Sequence, residues 1–321
     1  MIVLEIAAGL FVLILAAAYV CYRLAFSVPK PSEKAMFSLP DTEQYRPYAE
    51  TARRMIRAAL EIPHEPVNAM SYDGHVLFGK CYRTSPSAPW LLLIHGYRSA
   101  AERDFSGGLP FGLENGYNVL LVDQRAHGKS GGRCLTFGVK ERFDCKSWVD
   151  FIVSEAGADA KIVLYGMSMG AATVLMAAGC DLPKNVVGIV ADCGYTSPRE
   201  IIRKVIRDVH CPLFPTYAMI RLGGVLFGGF DLESASAAEA MERCDLPVFF
   251  IHGEDDRFVP CRMGRENFAH CRSAEKRLLT VPNAGHGMSY MADKTAYLCA
   301  VSAFLDDVFR RKKGETGEKT Q

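Results

Sequence analysis

Apolar and polar positions divide the chain into three regimes. Ile2 to Tyr22 is apolar at nearly every position, with Glu5 as its single charge, and a run of about 20 such residues is what a helix needs to cross the hydrocarbon core of a bilayer. Residues 29–50 carry Pro29, Pro31, Pro40 and Pro47 and read as an extended linker that leads into a short helix near 46–60. From about residue 64 short apolar runs begin to recur. Val67–Ser71 and His75–Tyr82 flank Asp73-Gly74, a hairpin turn signal, and predict an antiparallel pair. Trp90–Ile94, Asn118–Val122, Lys161–Tyr165, Val186–Ala191, Pro247–Ile251 and Arg277–Val281 each stop at glycine, polar or charged residues, with helical patterns between most of them. Runs such as Leu91-Leu92-Leu93-Ile94 lack the alternation of a half-solvated strand and fit burial on both faces. Strand-helix repetition of this kind predicts an α/β fold, a mostly parallel eight-stranded sheet flanked by helices.

One interval breaks the rhythm. About 50 residues lie between the strand ending at Asp192 and the one starting at Pro247, far more than a crossover helix needs. The interval carries helical patterns at Ile201–Val209, Thr216–Leu226 and Ala235–Arg243, broken by Pro212, Pro215 and the pairs Gly223-Gly224 and Gly228-Gly229. It predicts a short helical cap over the site, inserted after strand 6. The expected organisation is a transmembrane helix at 1–24, a linker and short helix at 25–63, an α/β domain at 64–312 with the cap at about 195–243, and a flexible charged tail at 313–321.

No Lys or Arg precedes the first apolar run and no small-x-small cleavage site follows it, which favours a retained anchor through residues 2–22 over a cleaved signal peptide. Arg23, Lys30, Lys34, Arg46, Arg53, Arg54 and Arg57 all follow the run, and positive flanks stay cytoplasmic, so the folded domain that follows is expected on the cytoplasmic side. Hydrophobic residues at 49% and charged residues at 23% permit a large core, and a net charge of +1 gives no electrostatic case for nucleic acid as a partner. The 11 cysteines are odd in number, scattered and without a C-x-x-C pair. That argues against a disulfide framework or a zinc site and suits a reducing compartment. Nothing in the pattern specifies an oligomeric state.

The candidate chemistry lies at strand ends. Gly166-Met167-Ser168-Met169-Gly170 stands between the run Lys161–Tyr165 and the helix formers of Ala171–Ala178. A serine at a tight strand-to-helix turn is held in a strained conformation, and the residues two before and two after it must be small for strand and helix to approach. Ser168 there points away from the sheet at a helix N-terminus, where oriented N–H groups favour an oxyanion. A hydroxyl needs a base, and the base an orienting acid. Two later strand ends supply candidates: His252-Gly253-Glu254-Asp255-Asp256-Arg257-Phe258-Val259-Pro260, and Asn283-Ala284-Gly285-His286-Gly287.

With these residues the chain, over about 64–310, resembles the α/β-hydrolase superfamily, in particular membrane-anchored or cytosolic bacterial esterase-like members with a short helical cap. The resemblance implies that the acid of an H-G-x-x-D-x-x-V-P motif is Asp256, with Asp255 and Asp192 as competitors, and that the late loop histidine His286 is the base. His95 and His252 sit in strand-end His-Gly pairs that shape loops, and His127 sits in Asp123-Gln124-Arg125-Ala126-His127-Gly128-Lys129-Ser130, which resembles a structural motif of the family. The oxyanion hole maps to the backbone N–H groups of Met169 and Tyr97, with Arg98 a candidate substrate contact. Arg203, Lys204 and Arg207 read as a solvated basic face. Phe214, Tyr217, Met219, Leu222, Leu226 and Phe227 suit an acyl pocket, a bilayer face or simply core.

The implied function is serine hydrolysis of a small-molecule carboxylic ester, an acyl ester or lysolipid, with no metal or organic cofactor. Peptidase or thioesterase chemistry on the same residues, or a non-catalytic membrane-tethered binding protein, are the alternatives, since fold alone does not fix function.

Overall fold

A computed structural model describes residues 1–29 and 32–310, apart from the side chains of Glu33 and Lys34. The tail expected at 313–321 lies outside the described residues. Eight strands form one sheet: β1 (Glu65–Met70), β2 (Val76–Tyr82), β3 (Trp90–Ile94), β4 (Asn118–Val122), β5 (Ile162–Met167), β6 (Val186–Asp192), β7 (Val248–Gly253) and β8 (Lys276–Val281). Their order is β1-β2-β4-β3-β5-β6-β7-β8. The β1–β2 and β2–β4 pairings are antiparallel and all the others are parallel. Each strand falls within two residues of its sequence expectation; β3, β4 and β7 are buried at every position, so desolvation rather than one apolar face sets those runs.

Leu92 pairs with Leu120 on one side and Leu164 on the other. One face of the sheet buries Trp148 and Ile152 of the helix Glu141–Ala156 and the all-buried helix Met169–Ala177. The other face buries Ala59 of the helix Ala49–Leu60 and Val301, Phe304 and Leu305 of the C-terminal helix Lys294–Arg310.

The stretch Asp123–Ser130 locks the hairpin to the sheet. The Arg125 guanidinium donates to both Asp144 oxygens, from Nε at 2.7 Å and from a terminal nitrogen at 2.6 Å, and to Asp73 in the β1–β2 turn at 3.0 Å. His127 accepts from the Arg98 amide at 3.1 Å, and burial drops its pKa to about 4, so the ring is neutral there.

The helical insertion after β6 is present, with helices Pro198–Asp208, Leu213–Gly223 and Ala237–Met241. The first starts three residues before the expected Ile201, because the Ser197 hydroxyl accepts from the Glu200 amide and Pro198 opens the first turn. The insertion does not roof the site in the way the sequence suggested. Leu213–Gly223 packs along the end of the N-terminal helix Ile2–Phe26, with Gly223 against Ala18 and Tyr22, and Phe26 fully buried. The guanidinium of Arg98 donates to the carbonyls of Leu24 (2.7 Å) and Ser27 (2.9 Å), capping that helix. Among the described residues Ile2–Phe26 is the one helix long and apolar enough to cross a membrane, and nearly every residue to position 14 is exposed.

Candidate active site

Ser168 stands where β5 turns into the helix Met169–Ala177, with φ 55° and ψ −115°. No β-carbon fits at either flanking glycine. One on Gly166 would collide with the backbone of Gly170, and one on Gly170 with the carbonyl of Ile94 in β3. The turn is therefore strained at the serine and relieved by glycine on both sides, which raises the hydroxyl above the strand ends.

His286, in the loop after β8, places Nε2 at 2.8 Å from Ser168 Oγ and Nδ1 at 2.7 Å from Asp256 Oδ2. With Nδ1–H donated to the carboxylate, Nε2 is left as an acceptor facing the hydroxyl. Asp256, on the loop after β7, has its side chain fully buried, while that of His286 is 16% exposed. Asp256 Oδ1 accepts from the amides of Phe258 (2.9 Å) and Val259 (2.8 Å). Burial on its own would raise the Asp256 carboxyl, but the imidazoles of His286 and His252 outweigh it and bring the pKa down to about 2.

The competing residues sit elsewhere. Asp255 is exposed, and its carbonyl accepts from the Gln44 amide at 2.6 Å. Asp192 is buried and accepts from Tyr297 Oη at 2.9 Å. Burial raises its pKa to about 6, and its other oxygen has no partner in the structure. His95 bonds the Gly96 carbonyl and the Gln124 amide. His252 approaches Asp256 at 3.4 Å and bonds the Val259 carbonyl at 2.8 Å, so it buttresses the loop that carries Asp256. The missing side chain of Gly264 leaves room for its ring. Sequence reasoning treated His252 only as a loop former, although its place four residues before Asp256 was the available clue.

The amides of Met169, which follows Ser168, and of Tyr97, which follows Gly96, have no hydrogen-bond partner among the described residues. Gly96 lies against the Ser168 β-carbon, and its amide donates to Asp104 Oδ2 at 2.7 Å, which holds the loop in place. The Tyr97 ring packs on Phe137, and its hydroxyl donates to the Ala25 carbonyl at 3.1 Å. Arg98, a candidate substrate contact, is instead committed to the N-terminal helix.

A cavity of about 840 Å³ opens over Ser168 and His286. Its walls come from residues 39–56, 96–111 and 286–301 with Arg257 and Phe258, its floor from Tyr165, Met167 and Ser168, and no lining residue comes from the insertion. The linker thus forms the roof: Tyr45 Oη donates to the His286 carbonyl at 2.8 Å, and Gln44 reaches the Asp255 carbonyl. Phe214, Tyr217, Met219, Leu222, Leu226 and Phe227 are all absent from the walls. Arg203 and Lys204 face Glu200 and Asp208 on their own helix, and Lys204 also bonds the Arg257 carbonyl beside the site.

Cys193 Sγ, an Asp256 oxygen and a His286 nitrogen lie within 4.8 Å of one another. Both imidazole nitrogens of His286 are already bonded, to Asp256 and Ser168, and burial holds the Cys193 thiol protonated. The trio therefore offers no free set of metal donors.

Residues 91–297 match the model of the alpha/beta hydrolase family, and the chain belongs to that family. It is 27% identical to the Bacillus subtilis protein YqkD over 84% of this chain and 85% of that one. To the rat lysophosphatidylserine lipase ABHD12 it is 26% identical over 56% of this chain and 44% of that one. Among solved structures it resembles the esterase Pf2001 of Pyrococcus furiosus, with a TM-score of 0.61 and 24% identity over 78% of this chain and 95% of that one. Est1E of Butyrivibrio proteoclasticus, solved with ferulic acid bound, gives 0.60 and 18% over 76% and 99%. These two likenesses show the fold. The chain is a hydrolase of this family.

Proposed function

We propose that this hydrolase cleaves carboxylic esters through an acyl-enzyme on Ser168. The observation that carries the reading is the hydrogen-bonded chain Ser168–His286–Asp256 at the floor of the cavity, beside two unpaired amides. His286 Nε2 takes the hydroxyl proton as Ser168 Oγ adds to the ester carbonyl, and the oxyanion accepts from the amides of Met169 and Tyr97. The imidazolium, stabilised by Asp256, returns the proton to the leaving alkoxide as the carbon–oxygen bond breaks. Water then attacks the acyl-serine with His286 again as base, releasing the acid and restoring the hydroxyl.

Acyl esters or lysolipids are the favoured substrates. Ile56, Phe111, Met291, Leu298 and Val301 give the cavity an apolar wall, and its volume falls in the range that encloses a ligand of that size. A relative named as a lysophosphatidylserine lipase agrees in kind. The N-terminal helix acts as a retained anchor with the hydrolase domain on the cytoplasmic side, a reading supported by the basic residues that follow it. In detergent, the full-length chain should hydrolyse p-nitrophenyl acyl esters, and Ser168→Ala should lower the rate by at least about 10³-fold with its melting unchanged. Retained turnover in that variant would overturn the assignment. Digestion of the domain by protease added to intact cells would reverse the orientation.

A further inference from the structure

The structure leaves a second apolar surface unexplained by the hydrolytic site. Outside the N-terminal helix, exposed large apolar side chains cluster on the insertion: Phe214 is 83% exposed, and Val209, Val225, Leu226 and Phe227 are exposed with it. The remaining ones among the described residues are Leu60 and Phe258, each isolated, and Met70, Tyr72 and Val76 at the β1–β2 turn, where Tyr72 packs on Phe143 and Arg125. Between Cys211 and Phe230 the sole charged side chain is Arg221, and Asp231 and Glu233 pair it at 2.7 and 3.0 Å.

This surface is continuous with the N-terminal helix. Phe227 meets Tyr19 edge-on and Tyr22 at a tilt, with ring centroids 5.2 and 5.8 Å away, and Gly223 lets the helix Leu213–Gly223 press against the backbone at Ala18. A membrane span that starts at Ile2 uses up its roughly 20 residues near Cys21. Ala18–Tyr22 therefore stands where the helix leaves the hydrocarbon, at the level that tyrosines favour. Whatever packs on Ala18–Tyr22 shares that depth.

We propose that Leu213–Gly223 and the following turn Gly224–Gly228 are immersed in the headgroup–acyl boundary of the bilayer beside the N-terminal helix, so that the partner of this surface is the lipid itself. An exposed apolar patch of this kind is a liability in water and a binding surface at an interface. Two neighbouring attachments fix the tilt of the domain on the membrane, which one flexible anchor does not. The inference rests on the reading of Ile2–Phe26 as an anchor and is independent of the proposed chemistry.

The test uses fluorescence of the full-length chain, since Trp90 and Trp148 are its two tryptophans and both are buried. Phe214→Trp, Leu226→Trp, Leu10→Trp and Lys184→Trp are each reconstituted into phosphatidylcholine vesicles with brominated or unbrominated acyl chains. Bromolipid is expected to reduce the added emission at 214 and 226 at least twofold, as at position 10 in the anchor, while position 184, exposed in the loop leading into β6, stays unchanged. Quenching at 10 without quenching at 214 and 226 overturns the inference and leaves the anchor standing. A stable dimer that shields 214 and 226 from bromolipid overturns it as well, by assigning the face to a second copy of the chain. No quenching at 10 removes the anchor and the inference together.

Discussion

Replacing Asp256 by asparagine exchanges one carboxylate oxygen for an NH₂ group and should disable the site for a reason visible in its hydrogen bonds. Oδ1 keeps its two acceptor contacts to the amides of Phe258 and Val259, so the new NH₂ group is forced into the place of Oδ2, 2.7 Å from His286 Nδ1. Two donors cannot share that contact. His286 must turn Nδ1 into an acceptor and carry its proton on Nε2, where it faces Ser168 and cannot take the hydroxyl proton. The expected loss in kcat/KM for a p-nitrophenyl ester is about 10⁴-fold, or about 5 kcal/mol in the transition state. Stability gives an independent check. Folding lowers the Asp256 pKa from 3.8 to about 2, worth about 2 kcal/mol at neutral pH. Because the folded value is the lower one, this contribution is complete above the unfolded pKa and fades as pH falls through the folded one. Denaturant melts of wild type and Asp256→Asn should therefore differ at pH 7, with the gap narrowing below about pH 4 and closing near pH 2. More than a tenth of wild-type activity in Asp256→Asn would refute the reasoning, and so would loss of activity in Asp192→Asn but not in this variant.

Tyr45→Phe removes the donor to the His286 carbonyl; a bond of that kind contributes about 0.5–1.5 kcal/mol, so ester kcat/KM should fall about 2–10-fold, and unchanged kinetics would mean that the linker does not steady the histidine. Arg125→Met strands the carboxylates of Asp144 and Asp73. Breaking a buried pair costs about 3–5 kcal/mol, readable as a lower denaturant midpoint, and a loss under about 1 kcal/mol would contradict the account of that network.

The strands and the serine turn were legible because local chemistry dictates them: runs such as Trp90–Ile94 are apolar at every position, and Gly166 and Gly170 are the one residue type that fits beside Ser168. The roof of the cavity was not legible. Gln44 and Tyr45 reach Asp255 and His286 across more than 200 residues of sequence, and a single long-range contact leaves no periodic trace. The same limit misdirected the insertion, whose apolar helix looked like a lid for the site and instead packs on the N-terminal helix. Gly223, small enough for two helix backbones to approach, was the faint signal of that contact. His252 was hidden differently, since its His-Gly setting reads as a loop former and its approach to Asp256 exists only once the β7 loop folds back.

The linker roof ties the proposed anchor to the proposed chemistry, because the segment that leaves the N-terminal helix is the segment that walls the cavity and touches His286, the proposed base. The claim beneath all of this is that Ser168 is an activated nucleophile. The most direct measurement is reaction of the full-length protein, in detergent, with a fluorophosphonate probe, read as intact mass for wild type and Ser168→Ala. The account predicts one adduct per chain in the wild type and none in the variant. A folded wild type that stays unlabelled, or a variant labelled as well as the wild type, would contradict it.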